Sequence, residues 1–214
     1  MTPLTVAAVD DHPVVLTGLR AHLTTHAPDV VWVAAASTVD ELTVAAAQVP
    51  AVVLLDLRLA DGSDVASNVE RLREWGAAVL LFTTEHRPAP VRRGIEAGAS
   101  GLVLKGDPED RLLEAVRSVA RGEAYVSGEL AHQIVNDPAG RVRLSERQLS
   151  VLGLMARGLP RRMIAAQLHV TEATLQTYRE RALEAYAARG VVFDEPKELP
   201  WRAYADGHLD LDRG

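Results

Sequence analysis

Residues 51–64 read AVVLLDLRLADGSD. Five apolar residues, Ala51 to Leu55, run without polar alternation and stop at Asp56, the pattern of a strand buried on both faces of a parallel sheet. Short Val- and Leu-rich runs of the same kind begin near Leu4, Val30, Val79 and Leu102. Between them the spacing is helical: residues 13–25 place Val14, Val15, Leu19 and Leu23 on one side, and residues 64–75 do so with Val65, Val69 and Leu72. Asp107-Pro108-Glu109 reads as an N-cap followed by proline at the first helical position, opening a helix through Arg121 that Gly122 ends. Strand and helix alternate five times, which predicts a doubly wound α/β sheet of five parallel strands.

The residues that close these runs carry the chemistry. The first ends in Asp10-Asp11, the third in Asp56, the fourth in Thr83-Thr84 and the fifth in Lys105. Open parallel sheets bind ligands at the carboxyl ends of their strands, so these groups converge at one edge. Three clustered carboxylates repel one another unless a cation joins them, and all-oxygen ligation suits Mg²⁺. Only Lys105 and Lys197 among the 23 basic residues are lysine, and a compact ammonium suits a phosphoryl oxygen or carboxylate in a tight pocket. The set fits phosphoryl transfer onto Asp56, with Asp10, Asp11 and Asp56 holding Mg²⁺, Lys105 stabilising charge and Thr83 donating its hydroxyl. A nucleotide site is disfavoured, because the first strand–helix turn is Asp-Asp-His-Pro where glycines are needed.

Composition narrows the choice. The absence of cysteine among the 214 residues removes disulfides, zinc-thiolate sites, iron–sulfur clusters and thiol nucleophiles. Apolar residues at 48% and charged residues at 24% exclude disorder over most of the length, and only 4% aromatics leave the core to Val, Leu and Ala. No apolar run approaches ~18 residues, and Asp10, Asp11 and Pro13 interrupt the first twenty, so a soluble, cytoplasmic protein without membrane contact is expected. The formal charge of −6 is uneven. Residues 1–140 hold 11 Lys+Arg against 19 Asp+Glu, residues 141–190 hold 9 Arg against 4 Glu, and residues 191–214 hold 3 against 6. A basic segment of this size suits a small nucleic-acid-binding module.

The stretches AVVLLDLRLADGSD, LLFTTE around Thr83 and GASGLVLKGD ending at Asp107 resemble the receiver domain of two-component response regulators, a CheY/flavodoxin-like fold. The resemblance covers residues 4–122. It implies that Asp56 is the phosphoacceptor, that Asp10, Asp11, Asp56 and the Arg58 backbone carbonyl hold Mg²⁺, that Thr83 with Thr84 forms the switch, and that Lys105 bonds the phosphoryl group. Ala60 stands where receivers usually have proline, and Leu102 where many have the Tyr or Phe that rotates on activation.

After Gly122 a polar stretch with Gly128, Pro138 and Gly140 reads as a linker with one helix at 128–135. Ser145 then caps a helix carrying Leu149, Leu152 and Met155 and ended by Gly158; a second, from Pro160 or Arg161, carries Ile164 and Leu168; Thr171 caps a third with Leu175, Ala182 and Leu183 inward. Three helices joined by short turns make a helix-turn-helix unit. The stretch LSERQLSVLGLMARGLPRRMIAAQLHVTEATL from Leu144 resembles the output domain of NarL/FixJ (LuxR-type) regulators. That resemblance implies phosphate contacts from Arg161, Arg162 and the third helix's N-terminal end, Thr171 and Thr174, with Gln176, Thr177 and Glu180 on the reading side and Arg179 as a further DNA contact. Gln176 replaces the usual lysine, Tyr178 the usual histidine and Gln148 the usual first-helix glutamate, and Glu180 adds a negative charge. Beyond Arg189 the resemblance fails. Family members continue into a dimer-forming helix, whereas GVVFDEPKELPWRAYADGHLD carries Pro196 and Pro200; Trp201 with Tyr204 is expected to pack in the domain's own core, the alternative being a different dimer contact.

These readings predict a receiver at 1–122, a linker at 123–143, a LuxR-type helix-turn-helix at 144–190 and a divergent acidic tail at 191–214. The expected function is phosphorylation-controlled transcription regulation, not enzymatic turnover, with a sensor histidine kinase, double-stranded DNA and a second copy of the chain as partners and Mg²⁺ as cofactor. Two alternatives are an atypical receiver whose C-terminal unit binds protein, and a haloacid-dehalogenase-type phosphatase. The latter needs a second acid two residues after the nucleophile, where this chain has Arg58.

Overall fold

In a computed structural model, residues 3–211 are described, the side chains of 129 and 130 excepted. The chain divides into one compact unit of residues 1–86 and 93–135 and a second of 87–92 and 136–214.

The first unit is built on strands β1 (Leu4–Val9), β2 (Val30–Ala36), β3 (Val52–Leu55), β4 (Ala78–Thr83), β5 (Gly101–Leu104) and β6 (Tyr125–Val126). All pair in parallel, in the order β2-β1-β3-β4-β5-β6. The expectation of five strands is therefore corrected to six. The sixth is two residues long, too short to show as an apolar run. It lies close against β5 because Gly101 has no Cβ, which would otherwise meet the Tyr125 carbonyl oxygen at 2.5 Å.

Helices α1 (Pro13–His26), α2 (Val39–Ala45), α3 (Val65–Trp75), α4 (Pro88–Glu96) and α5 (Glu109–Ala120) follow the first five strands, and α6 (Gly128–Asn136) follows β6. Alternation along the strands divides the core between two sheet faces. On one face Val6, Ala8, Leu54, Leu80 and Val103 pack with Leu19 and Leu23 of α1 and Leu112 and Val116 of α5. The intervening Ala7, Val53, Leu55, Leu81 and Leu102 are equally buried, so β1, β3, β4 and β5 lack the polar alternation of a half-exposed sheet. The helix before Arg121 starts one residue later than expected: Pro108 is its N-cap, and the Asp107 carboxylate instead accepts from the Leu104 amide at 3.0 Å and from the Ser127 hydroxyl.

In the second unit, α7 (Glu146–Ala156) begins at Ser145, whose hydroxyl accepts from the Gln148 amide while the Gln148 side chain accepts from the Ser145 amide. This reciprocal cap gives Gln148 a structural use. Helix α8 (Arg161–Leu168) ends at His169, the non-glycine residue in the left-handed region at φ 54°. Thr171 caps α9 (Glu172–Ala187) by accepting from the Thr174 amide. Val151, Ile164, Ala165 and Leu175 hold this trio together. The tail is not featureless: α10 (Leu199–Ala205) forms despite Pro200, which sits in its first turn where no amide is required. Leu199 and Ala203 join Leu152, Ala182 and Tyr186 in a second cluster. The expected burial of Trp201 is corrected, since its side is 59% exposed while Tyr204 is partly buried. Fully buried Tyr186 takes the anchoring role, edge-on to Phe193 at 5.3 Å.

Candidate functional site

The register of the sheet gathers the expected acids. Val9 of β1 pairs with Leu55 of β3, Leu55 with Leu81 of β4, and Thr83 with Leu104 of β5, so Asp10, Asp56, Thr83 and Lys105 stand together where the strands end. Strand order reverses direction between β1 and β3, the crevice that open α/β sheets use for ligands.

Asp10 and Asp56 are buried, at 2% and 6% exposure. The Lys105 ammonium lies 2.6 Å from Oδ2 of each. Burial pulls its pKa down, but hydrogen bonds and charge from Asp10 and Asp56 more than offset that, so it lies above the ordinary lysine value. Nδ1 of His12 lies 3.1 Å from Asp10 Oδ1 and 2.8 Å from Asp11 Oδ1, and the His12 amide donates to Asp10 Oδ1 at 2.9 Å. Donor atoms from Asp10, Asp11, His12 and Asp56 all lie within 4.8 Å of one another. Three carboxylates that close form an oxygen-rich set suited to a hard divalent cation. His12 was absent from the expected set, although it directly follows the acidic pair in sequence.

Thr83 is buried, and its Oγ1 accepts from the Glu85 amide at 3.1 Å. Thr84 is exposed, so the two hydroxyls are not equivalent. Glu85, also missed from the sequence, is buried with its carboxylate 3.9 Å from the Arg58 guanidinium. The Arg58 amide approaches Asp56 Oδ1 at 3.4 Å. Leu102 is fully buried.

In the second unit Arg161 and Arg162 are exposed at the start of α8. Thr171 and Thr174 share a hydroxyl contact of 2.8 Å, and Thr177 donates to the Ala173 carbonyl. Gln176 Nε2 donates to Glu180 Oε1 at 2.7 Å. Arg179 is partly buried, and its Nε has no hydrogen-bond partner among the described residues. Much of the expected reading side is thus bonded within the helix.

A parallel α/β unit with a lysine-bridged acidic crevice, and a helix-turn-helix unit beyond it, define the response-regulator class of protein. Comparison narrows the class. Residues 6–117 match the response regulator receiver domain and residues 142–185 the bacterial regulatory proteins of the luxR family. The chain is 31% identical over 194 residues to the nitrate/nitrite response regulator protein NarL of Escherichia coli K12, covering 85% of this chain and 88% of NarL. It is 37% identical over 123 residues to the response regulator RamR of Streptomyces coelicolor, covering 57% and 60%. The response regulator ChrA of a heme-sensing two-component system, at 32% identity, covers 95% of this chain and 98% of its own with a TM-score of 0.54. A DNA complex of the response regulator RcsB, at 20% identity and a TM-score of 0.62, shares the fold. The chain belongs to the NarL/FixJ family of response regulators, transcription regulators that join a receiver to a LuxR-type DNA-binding domain. Members of the family are regulators, not enzymes. Among the described residues no helix is long and apolar enough to cross a membrane.

Proposed function

We propose that Asp56 receives a phosphoryl group from a sensor histidine kinase in the cytoplasm, and that this modification controls DNA binding by the C-terminal helices. The observation that carries the reading is the Lys105 ammonium held 2.6 Å from both Asp10 and Asp56. A carboxylate oxygen of Asp56 attacks phosphorus, the bond to the donor's leaving group breaks, and an acyl phosphate results. Lys105 then follows the new phosphoryl oxygens, a point charge on a flexible stem. Asp10, Asp11 and Asp56, with the Arg58 carbonyl, would hold Mg²⁺, which supplies positive charge against those oxygens when bound. Thr83, rather than exposed Thr84, is the hydroxyl poised to answer the change, by exchanging the Glu85 amide for a phosphoryl oxygen. With buried Leu102 in place of an aromatic, the answer is read through Thr83 and Glu85.

On this reading residues 1–122 form the receiver, 123–143 the linker, 144–190 the DNA-binding domain and 191–214 a family-divergent tail. Arg161, Arg162, Thr171 and Thr174 meet phosphates, while Gln176, Thr177, Arg179 and Glu180 face the major groove. With Gln176 and Glu180 bonded to each other, one domain offers few base contacts, and a homodimer on two half-sites supplies the affinity. The test is intact-protein mass spectrometry after acetyl phosphate and Mg²⁺. One acid-labile phosphoryl adduct is expected on wild type and none on Asp56→Asn; an equal adduct on both would reject Asp56.

A further inference from the structure

Away from the acidic crevice, the first unit carries a pair of imidazoles arranged as a ligand set. His22 and His26 lie four residues apart on α1, which sets them on one helix face. Their ring centres are 4.7 Å apart and their planes tilted by 31°. Their partners fix the protons. Nδ1 of His26 is 3.2 Å from the His22 carbonyl oxygen, and Nδ1 of His22 is 3.2 Å from Oε2 of Glu109, the first residue of α5. A carbonyl only accepts, so the His26 Nδ1 bonded to it carries the hydrogen and the neutral ring keeps a lone pair on Nε2, while the Glu109 carboxylate beside Nδ1 of His22 favours the same tautomer there. Nε2 of His22 is buried with no hydrogen-bond partner among the described residues, an unfavourable state for a polar atom.

We propose that His22 and His26 form a binding site for a borderline divalent transition ion such as Zn²⁺, held through both Nε2 atoms. Two histidines at this spacing on a helix recur as zinc ligands. Glu109 and the His22 carbonyl supply the outer contacts that orient ligating imidazoles. An ion about 2.1 Å from each Nε2 sits about 3.2 Å from each ring centre. With both Nε2 atoms turned to one point, centres 4.7 Å apart subtend about 95° at it, and opening them by about 0.5 Å reaches the tetrahedral angle. His26 is exposed, so water reaches the site from its side to complete the coordination shell. Paired imidazoles select zinc, nickel or copper where carboxylate oxygens select Mg²⁺, so this site differs in chemistry from the crevice of Asp10 and Asp56.

The experiment titrates Zn²⁺ calorimetrically into untagged full-length protein with Mg²⁺ in large excess. Long-range ¹H–¹⁵N spectra of the imidazoles locate the ion. One equivalent is expected, with the Nε2 resonances of His22 and His26 moving together. His26→Gln, at an exposed position that folding does not depend on, should weaken binding at least tenfold, and Glu109→Gln by about tenfold through loss of the outer contact. Unchanged affinity and stoichiometry in His26→Gln would overturn the proposal, as would a Zn²⁺ response confined to His12.

Discussion

Glu180→Lys tests how the third helix of the output domain meets DNA. In the wild type, exposed Glu180 accepts from Gln176 at 2.7 Å, so one amide donor and one carboxylate on the proposed groove side satisfy each other. Lysine removes a charge that phosphates repel, adds one that they attract, and frees the Gln176 amide. Each added phosphate contact steepens the slope of log K against log salt by about 0.9, or about 1.8 for two domains on one duplex. Between about 50 and 200 mM salt, a slope difference of 1.8 is a factor of about 12. The variant should therefore bind more tightly than wild type at low salt on every duplex tried, with its advantage shrinking roughly tenfold across that range. Fluorescence anisotropy with several labelled duplexes of unrelated sequence measures both quantities. Weaker binding on all duplexes, or a salt slope equal to wild type, would refute the placement of Glu180 on the DNA-facing side of the helix.

Three further outcomes concern stability. Leu152→Ala empties a fully buried position in the core shared with Tyr186 and Leu199 and should cost about 2–5 kcal/mol, lowering the urea midpoint of the second unit. Tyr186 has its hydroxyl pKa raised, by burial first and then by the charge of Asp206; the folded protein thus keeps the proton longer than the unfolded chain, and stability should fall as pH rises past about 10. Tyr186→Phe should lose that alkaline decline, which urea midpoints across the range will report. Asp29 has its pKa lowered chiefly by the Arg117 hydrogen bonds at 2.7 and 2.9 Å; its contribution is present above the unfolded value of about 3.9 and lost as pH falls through the folded one. Asp29→Asn should thus cost under about 1 kcal/mol at neutral pH for so exposed a pair, and its denaturation midpoint should converge with wild type in acid.

Strand ends were legible in the sequence because parallel strands buried on both faces leave unbroken apolar runs, and the first polar residue after each marks the functional edge. Asp10, Asp56, Thr83 and Lys105 were found that way. The sixth strand was not, since Tyr125–Val126 is fixed by pairing against Gly101 and leaves no periodicity of its own. His12 and Glu85 escaped for a related reason: each takes its place through contacts, with Asp10 and Asp11 in one case and with Thr83 and Arg58 in the other. In the tail, two prolines argued against a helix. One of them occupies the first turn of α10, where proline is tolerated, and the apolar residues Leu199 and Ala203 at i and i+4 were the signal that outweighed it. The hydrogen bond between Gln176 and Glu180 follows from their spacing on a helix, yet only the third dimension shows that it consumes donors on the reading side.

On the proposed function, one covalent event at Asp56 changes DNA binding by residues 144–190. This coupling is tested most directly by measuring affinity for a single promoter duplex, at fixed salt and with Mg²⁺, for wild type and Asp56→Asn, each with and without acetyl phosphate. The phosphoryl donor should shift the wild-type affinity and leave Asp56→Asn unmoved. Equal affinities for wild type with and without donor, under conditions where mass spectrometry shows the adduct present, would contradict it.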